Sequence, residues 1–256
     1  MDLVHKTSRK VCYTTRYAWL CSRGMRWLFV LGHMRSGSSL LVHLLNANPE
    51  VLGYGETPIR YTGHRSFVEL HDHVREQFRI HGEPPRRGYQ YVMDKILWQH
   101  IHNDNLLRQV PLSVIVIVRR PEAALPSILA LDIESIQTSE EALRYYRDRL
   151  ERLQSILDTY NAPFMCTTYS ELTKRPEAIL QDISEYLALD EKLTPTYDTM
   201  WATGKPVTGD PSEKIEAGEV RSEETSYDMD IASGIIPQAR EAYRQFHSFC
   251  DDLNRQ

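Results

Sequence analysis

The stretch from Leu28 to Leu45, LFVLGHMRSGSSLLVHLL, constrains the fold of this chain more than any other part of it. Its apolar start fits a buried strand, its middle is a polar turn bounded by Gly32 and Gly37, and apolar residues then recur at helical spacing. A strand, a tight turn and a helix in this order form a cradle for an anion, because the first N–H groups of a helix have no partner within the helix. The chain is therefore predicted to begin an α/β domain with a phosphate-binding loop.

This loop departs at one position from the P-loop of nucleotide triphosphatases. Four residues separate Gly32 from Gly37, as the P-loop pattern requires, but Ser38 stands where a lysine would reach the β- and γ-phosphates. The cation lies inside the loop instead, as Arg35, whose guanidinium can hold a terminal phosphate through two hydrogen bonds. The sequence thus favours a 5′-phosphate group over a magnesium-bound triphosphate.

A second cationic position follows the most β-branched run of the chain. Ser113–Val118, SVIVIV, is typical of a fully buried parallel strand, and Arg119-Arg120-Pro121 come directly after it. Ligands of open parallel sheets bind beyond the carboxyl ends of the strands, so these arginines are expected to face the same crevice as the loop. A magnesium-dependent ATPase or kinase often has an aspartate at such a strand end. The sequence therefore predicts two anion sites and no metal.

Strand and helix patterns alternate along the rest of the chain. This alternation, in 256 residues, predicts one α/β domain over residues 1–256, with a P-loop-type three-layer αβα fold and a central parallel sheet. Two segments lack the pattern, a basic and aromatic N-terminal extension (1–25) and an irregular loop region (194–234). Further strands are predicted at Val51-Leu52, Tyr89–Met93 and Phe164–Tyr169, and helices at Ile96–Val110, from Thr138, from Pro176 and at Pro237–Leu253.

A histidine-rich stretch follows the predicted second strand. Gly63–His81 has apolar residues at helical spacing and is expected to form a helix. His71 and His73 are two residues apart and cannot share one helix face. We therefore expect solvent-facing histidines here rather than metal ligands.

Charge and cysteine content narrow the classes of partner and compartment. A net charge of −5 argues against nucleic-acid binding, which needs a basic surface. The four cysteines lack metal-ligand or redox spacing, no apolar run approaches the ~20 residues that span a bilayer, and no signal core is present, so a cytoplasmic protein is predicted. The extension (1–25) either makes weak contact with an anionic membrane surface or packs on the domain, and the second interpretation is favoured.

The order of the motifs resembles that of the sulfotransferases that use 3′-phosphoadenosine 5′-phosphosulfate (PAPS). The likeness is greatest to the bacterial, tyrosylprotein and carbohydrate branches, and it extends over Trp27–Leu189. The resemblance implies PAPS as sulfuryl donor, 3′-phosphoadenosine 5′-phosphate (PAP) as product and no required metal. The motifs that carry it are, in chain order, GHMRSGSSLLVHLLNANPEV, GYGE, MDK, VIVIVRRPEAALPS and YSELTKRPEAILQDISEYLAL.

The resemblance also implies a set of donor-binding residues. Arg119 and Ser127 match the pair that holds the 3′-phosphate, and Tyr169 matches the position where the family has a residue near the adenine. Lys205 resembles a residue of the carboxy-terminal cofactor loop in the cytosolic branch, although its neighbours Gly204 and Pro206 depart from that pattern. The loop residues that match the 5′-phosphosulfate site are Arg35, Ser36, Gly37, Ser38 and Ser39.

Two further positions resemble catalytic residues of the tyrosylprotein branch. Glu56 resembles its catalytic glutamate, which acts as the base, and Lys95 resembles its catalytic lysine. In the implied reaction an acceptor hydroxyl or amine attacks sulfur in line with the departing phosphate oxygen, while Glu56 takes the proton. His100 or His102 is the rival base, because other branches use histidine. The acceptor is a small molecule, carbohydrate, lipid or peptide. A P-loop small-molecule kinase and a non-catalytic nucleotide-binding protein are the alternative functions.

Overall fold

A five-stranded, all-parallel sheet forms the centre of the computed structural model, which describes residues 13–83, 88–97, 100–204, 213–222, 227 and 229–254. The strand order β2-β3-β1-β4-β5 places β1 in the middle, with two strands on either side. The predicted α/β class with a central parallel sheet is confirmed. The strands are β1 (Arg26–Gly32), β2 (Val51–Leu52), β3 (Tyr91–Ile96), β4 (Leu112–Val118) and β5 (Met165–Thr168).

The central strand β1 is buried on both of its faces. From Trp27 to Leu31 every side chain is inaccessible to solvent, and successive residues of a strand point to opposite faces of the sheet. Helices therefore cover both faces, as expected for parallel sheets. The register pairs Leu31 with Ile96 of β3 and Gly32 with Ile117 of β4, so three strands end at the same edge. The chain runs from β1 first to β2 and β3 and later to β4, which makes this edge a topological switch point.

Helices connect the strands of the sheet. The predicted capping box at the start of the longest helix is present, with Glu141 N–H bonded to Thr138 Oγ1 and the Glu141 carboxylate bonded to Thr138 N–H. The helices are α1 (13–22), α2 (Ser38–Ala47), α3 (His64–Ile80), α4 (Pro121–Leu129), α5 (Ser139–Tyr160), α6 (Tyr169–Lys174), α7 (Pro176–Tyr186) and α8 (Ile235–Asn254), with short 3₁₀ helices at Asp104–Arg108 and Glu213–Ala217.

The predicted helix over Ile96–Val110 is wrong. β3 continues to Ile96, and among the described residues of this stretch only Asp104–Arg108 are helical. Backbone pairing with a distant segment explains the difference, because Tyr61 N–H donates to His100 O (2.8 Å) and His102 N–H donates to Tyr61 O (3.0 Å). These tertiary hydrogen bonds override the local helical pattern.

The expectation that the histidines of α3 face solvent is also wrong for His71, and His73 is only partly exposed. His71 is only 3% exposed, and its Nε2 lies 3.0 Å from the Tyr89 hydroxyl. Nε2 of His73 lies 2.7 Å from the Tyr54 hydroxyl. Burial lowers the pKa of both imidazoles. Both are therefore hydrogen-bonded structural groups between α3 and neighbouring segments.

The described part of the N-terminal extension (13–22) packs on the domain. The Tyr17 ring lies parallel to the Trp27 indole at 6.4 Å between centroids, and Arg16 forms an ion pair with Asp72 of α3. Trp19 remains 51% exposed. Among the described residues, no helix has the length and apolar character that crossing a membrane requires. The first twelve residues lie outside the described part of the chain.

We predict that Phe67→Ala destabilises the fold strongly, because Phe67 is fully buried and its ring packs against Trp27 (5.2 Å) and Tyr61 (5.4 Å). The free energy of unfolding should fall by about 3–5 kcal/mol, as for other buried aromatic residues cut to alanine. Phe67→Leu should cost less than about 1.5 kcal/mol, and the exposed control Trp19→Ala less than about 0.5 kcal/mol. Urea unfolding measures all three, and equal losses in Phe67→Ala and Trp19→Ala would contradict the packing.

Candidate functional site

The loop between β1 and α2 is held in shape by two glycines. A Cβ on Gly32 would lie 2.7 Å from both Ile117 O and Ser36 Oγ, and one on Gly37 would lie 2.4 Å from the Tyr169 ring. Gly37 also has a φ of 92°, which favours glycine. Within the described part of the chain, α2 has no side-chain cap and no acidic residue in its first turn. Its amino end is therefore a suitable site for an anion.

Two arginines lie on one side of this loop. Arg35, at a φ of 62°, donates from Nε to Ser127 Oγ (2.8 Å) and from Nη2 to the Tyr227 hydroxyl (2.6 Å). Arg119, 6% exposed at the end of β4, has its guanidinium 4.4 Å from the centre of the Tyr169 ring. The structure thus brings Arg35 to Ser127 and Arg119 to Tyr169, beside the same glycine turn.

A lysine and a glutamate lie on the other side of the loop. Lys95 is 3% exposed, and its Nζ donates to Ser39 Oγ (3.1 Å) in the first turn of α2. The same ammonium lies 3.3 Å from Glu56 Oε1, and the Glu56 side chain is 19% exposed. The carboxylate is therefore in contact with the lysine while part of it stays accessible. A carboxylate in this position can accept a proton from a group that lies within hydrogen-bond reach.

Asp94, which the sequence analysis left without a role, precedes Lys95 in β3 and is fully buried. Its Oδ1 accepts from Thr57 N–H (3.0 Å), and its Oδ2 accepts from the hydroxyls of Thr57 (2.9 Å) and Tyr61 (2.6 Å). Burial raises the pKa of Asp94 to about 7, and the hydrogen bonds from Tyr61 and Thr57 oppose that rise. All three of these donors belong to the segment that carries Glu56, so Asp94 holds that segment against β3.

His33 joins the loop to the end of β4. It is fully buried, its Nδ1–H donates to Met34 O (2.7 Å), and its Nε2 accepts from Arg119 N–H (3.0 Å). These partners fix the neutral tautomer that carries its proton on Nδ1. Burial lowers the pKa of His33 to about 4. The backbone of Arg119 is thereby tied to the loop that contains Arg35.

Helix α5 supports the loop through two further residues. Arg149, which is buried, donates from Nε to Gly32 O (2.6 Å) and from Nη2 to Ile96 O (2.6 Å), so it caps the carbonyl ends of β1 and β3. Burial lowers the pKa of Arg149 to about 10. The Tyr145 hydroxyl accepts from Met34 N–H (2.8 Å). Backbone groups that the sheet leaves without partners at this edge are thus satisfied.

His43 links α2 to the segment that follows α7. Its Nδ1–H donates to Ser39 O (2.8 Å), and its Nε2 lies 2.8 Å from Thr203 Oγ1, which itself accepts from Met200 N–H. The predicted donor-binding residue Lys205 comes two positions after Thr203 and lies outside the described residues. The start of α2 is therefore fixed from this side as well.

The rival bases lie on the segment that pairs with Tyr61. His100 and His102 flank Ile101, which forms an isolated parallel bridge with Tyr61, and the His102 side chain is exposed. Glu56 lies in contact with Lys95, at 3.3 Å from Nζ. The geometry thus favours Glu56 over these histidines as the group next to the loop.

Comparisons with known proteins give distant likenesses in structure. No model of a known protein family matches this chain, and no curated protein matches its sequence. The sulfotransferase STF1 from Mycobacterium tuberculosis H37Rv is 14% identical, with a TM-score of 0.43 over 86% of this chain and 77% of the other. A retinol dehydratase in complex with androsterone and inactive cofactor PAP is 12% identical, with a TM-score of 0.38 over 94% of this chain and 84% of the other. Both scores are below 0.5, so neither likeness carries an argument about function.

We predict that His33 makes the protein less stable in acid. Its pKa is about 4 in the folded protein and near 6.5 when unfolded, so below about pH 6.5 the unfolded chain binds the proton first and stability falls until pH 4. Between pH 7 and pH 4.5 the wild type should lose about 2–3 kcal/mol more than His33→Gln, which does not titrate. Urea unfolding of both proteins at the two pH values measures this difference, and an identical pH dependence would contradict the assignment.

Proposed function

We propose that this protein is a sulfotransferase that moves a sulfuryl group from PAPS to a hydroxyl or amine of an acceptor. The observation that carries the proposal is the placement of cations around the glycine turn. Lys95 lies at Ser39 on one side, while Arg35 and Arg119 lie at Ser127 and Tyr169 on the other. A nucleotide phosphorylated at both its 5′ and 3′ positions carries two separate anionic groups, and this arrangement offers each of them a cation.

The loop residues fit such a donor. The first turn of α2 supplies N–H groups for the 5′-phosphosulfate, together with Arg35, Ser38 and Ser39. The Ser36 hydroxyl is buried and, among the described residues, has no hydrogen-bond partner. It can therefore bond to a ligand, or to a protein group after a small local shift. Arg119 and Ser127 would hold the 3′-phosphate, and the Tyr169 ring would lie near the adenine. Lys205 stays a predicted contributor.

The catalytic residues of the proposed reaction are Glu56 and Lys95, and the reaction takes place on the solvent-accessible side of this pair. Bound PAPS supplies an activated sulfuryl group whose transfer leaves PAP. The Glu56 carboxylate accepts the proton of the acceptor hydroxyl or amine, and partial exposure lets it reach that group. The Lys95 ammonium and the Ser38 hydroxyl stabilise negative charge that develops on the transferred and leaving groups. Preorganised donors of this kind are typically worth about 3–4 kcal/mol of barrier.

A magnesium-dependent kinase is the second candidate, and the residues favour it less. Ser38 replaces the lysine that grips a triphosphate. The carboxylate near the end of β3, Asp94, is buried and already accepts three hydrogen bonds.

The acceptor class is proposed only as small-molecule, carbohydrate, lipid or peptide, and screening these with labelled donor is the direct way to find it.

We predict that Arg35→Ala and Arg119→Ala each weaken binding of adenosine 3′,5′-bisphosphate. A lost charge-assisted hydrogen bond should cost about 1.5–3 kcal/mol, a factor of about 10–150 in Kd. The neighbouring exposed Arg120→Ala is the matched control and should change Kd by less than about 3-fold. Isothermal titration calorimetry gives all three constants, with thermal unfolding to check the fold. Tighter binding of Mg-ATP than of the bisphosphate would refute the sulfotransferase proposal.

We predict that Glu56→Gln lowers turnover by about 10²-fold or more while donor binding stays within about 2-fold, because the amide cannot accept the acceptor's proton. Glu69→Gln, on the surface of α3, is the control and should leave turnover unchanged. Transfer of labelled sulfuryl groups measures turnover. Full activity of Glu56→Gln combined with loss of activity in His100→Gln or His102→Gln would move the base to a histidine.

A further inference from the structure

The segment that carries Glu56 has little regular structure of its own. It runs from Gly53, after the two-residue strand β2, to Gly63, before α3. Its backbone is tied to its neighbours at two places. Lys95 N–H of β3 donates to Gly55 O (3.1 Å), and Tyr61 N–H donates to His100 O (2.8 Å) in the segment after β3. The residues between these two bonds must be positioned by side chains.

Asp94 supplies that positioning through the hydrogen bonds of its carboxylate. Thr57, the residue after Glu56, donates to it from both N–H and Oγ1, and Tyr61 donates from its hydroxyl. Asp94, Thr57 and Tyr61 are all buried. Burying a carboxylate is costly unless several donors satisfy it. Here the donors come from a single short segment, so the carboxylate acts as a clamp on that segment.

The clamp and the reactive pair are built from adjacent residues. Asp94 and Lys95 follow each other in β3, so their side chains point to opposite faces of the sheet. Asp94 bonds to Thr57, and Lys95 contacts Glu56, the residue before it. Two consecutive residues of the strand thus hold two consecutive residues of the loop. A shift or rotation of the loop that loosened Thr57 would also turn the Glu56 carboxylate away from Lys95.

We propose that Asp94, acting through Thr57 and Tyr61, is a positioning residue that sets the direction of the Glu56 carboxylate against Lys95 and the donor loop. This inference rests on the sulfuryl transfer proposed above. Its effect is expected in turnover rather than in donor binding, since the Asp94 carboxylate accepts its hydrogen bonds from Thr57 and Tyr61 of the segment that carries Glu56. Small displacements of a catalytic group can cost up to about 10²-fold in rate.

The test uses an isosteric pair of substitutions at Thr57. Thr57→Val keeps the shape and the N–H but loses the hydroxyl that donates to Asp94, and Thr57→Ser keeps the hydroxyl. Thr57→Val should lower kcat by about 10-fold with bisphosphate Kd and acceptor KM within about 2-fold, and Thr57→Ser should stay within about 2-fold of wild-type kcat. Ser184→Ala, which removes a buried hydroxyl in α7, is the control for lost stability and should leave kcat unchanged.

A double-mutant cycle separates positioning from a general structural effect. If Thr57 acts through Glu56, adding Thr57→Val to Glu56→Gln should lower kcat by less than about 2-fold. Equal effects of Thr57→Val in the wild type and in Glu56→Gln, or wild-type kcat in Thr57→Val, would overturn the inference. Full activity of Glu56→Gln, or absence of sulfuryl transfer by the wild type, would instead overturn the proposed function.

A second readout needs no turnover. In the protein without ligand, amide hydrogen exchange over residues 55–61 should be faster in Thr57→Val and unchanged in Thr57→Ser and Ser184→Ala, because only the first loosens the clamp. Unchanged exchange in Thr57→Val would show that Asp94 does not hold this segment, and the inference would fail even if the protein proved to be a sulfotransferase.

Discussion

The candidate site depends on one constraint, the common edge at which β1, β3 and β4 end. Parallel pairing with β1 in the middle aligns Leu31 with Ile96 and Gly32 with Ile117, and each strand carries a charged residue at this edge or just beyond it. Arg119 follows β4, Lys95 comes near the end of β3, and the loop with Arg35 follows β1. Cations from parts of the chain that are far apart in sequence therefore meet at one helix N-terminus, where an anion is favoured.

Such an edge leaves backbone carbonyl and N–H groups that the sheet cannot pair. Three buried polar side chains satisfy some of them and at the same time join neighbouring segments. Arg149 bonds to the ends of β1 and β3, His33 bonds to the start of the segment after β4, and Asp94 bonds to the loop after β2. Each of these groups is costly to bury, and each is hydrogen-bonded as buried polar groups must be. These links connect the segments that form the site.

The sequence predicted those parts of the fold that local pattern determines. The loop, the buried β4 and the capping box at Thr138 are all found, because glycine spacing, β-branched runs and Ser/Thr–Glu spacing act within a few residues. The roles of His33 and Arg149 were not predictable, since their partners Arg119 and Gly32 are 86 and 117 positions away. The helix predicted over Ile96–Val110 failed for a related reason, since Tyr61 pairs with that stretch from a distance.

The candidate catalytic residues show the same limit of prediction from sequence. Glu56 and Lys95 were selected by resemblance of motifs, and in the structure their side chains lie 3.3 Å apart. The residues that position them gave no signal, because an aspartate or a threonine in a loop is ordinary in composition.

The lysine that the P-loop pattern places after Gly37 is replaced here by a lysine from the adjacent strand. Lys95 reaches the first turn of α2 at Ser39, so the position of this charge is set by the pairing of β3 with β1. A slip of that pairing by one residue would exchange the faces of Asp94 and Lys95, and a negative group would then point at the helix end. The sign of the charge beneath the loop is thus determined by the register of β3 against β1, and each hydrogen bond between these strands stabilises that register.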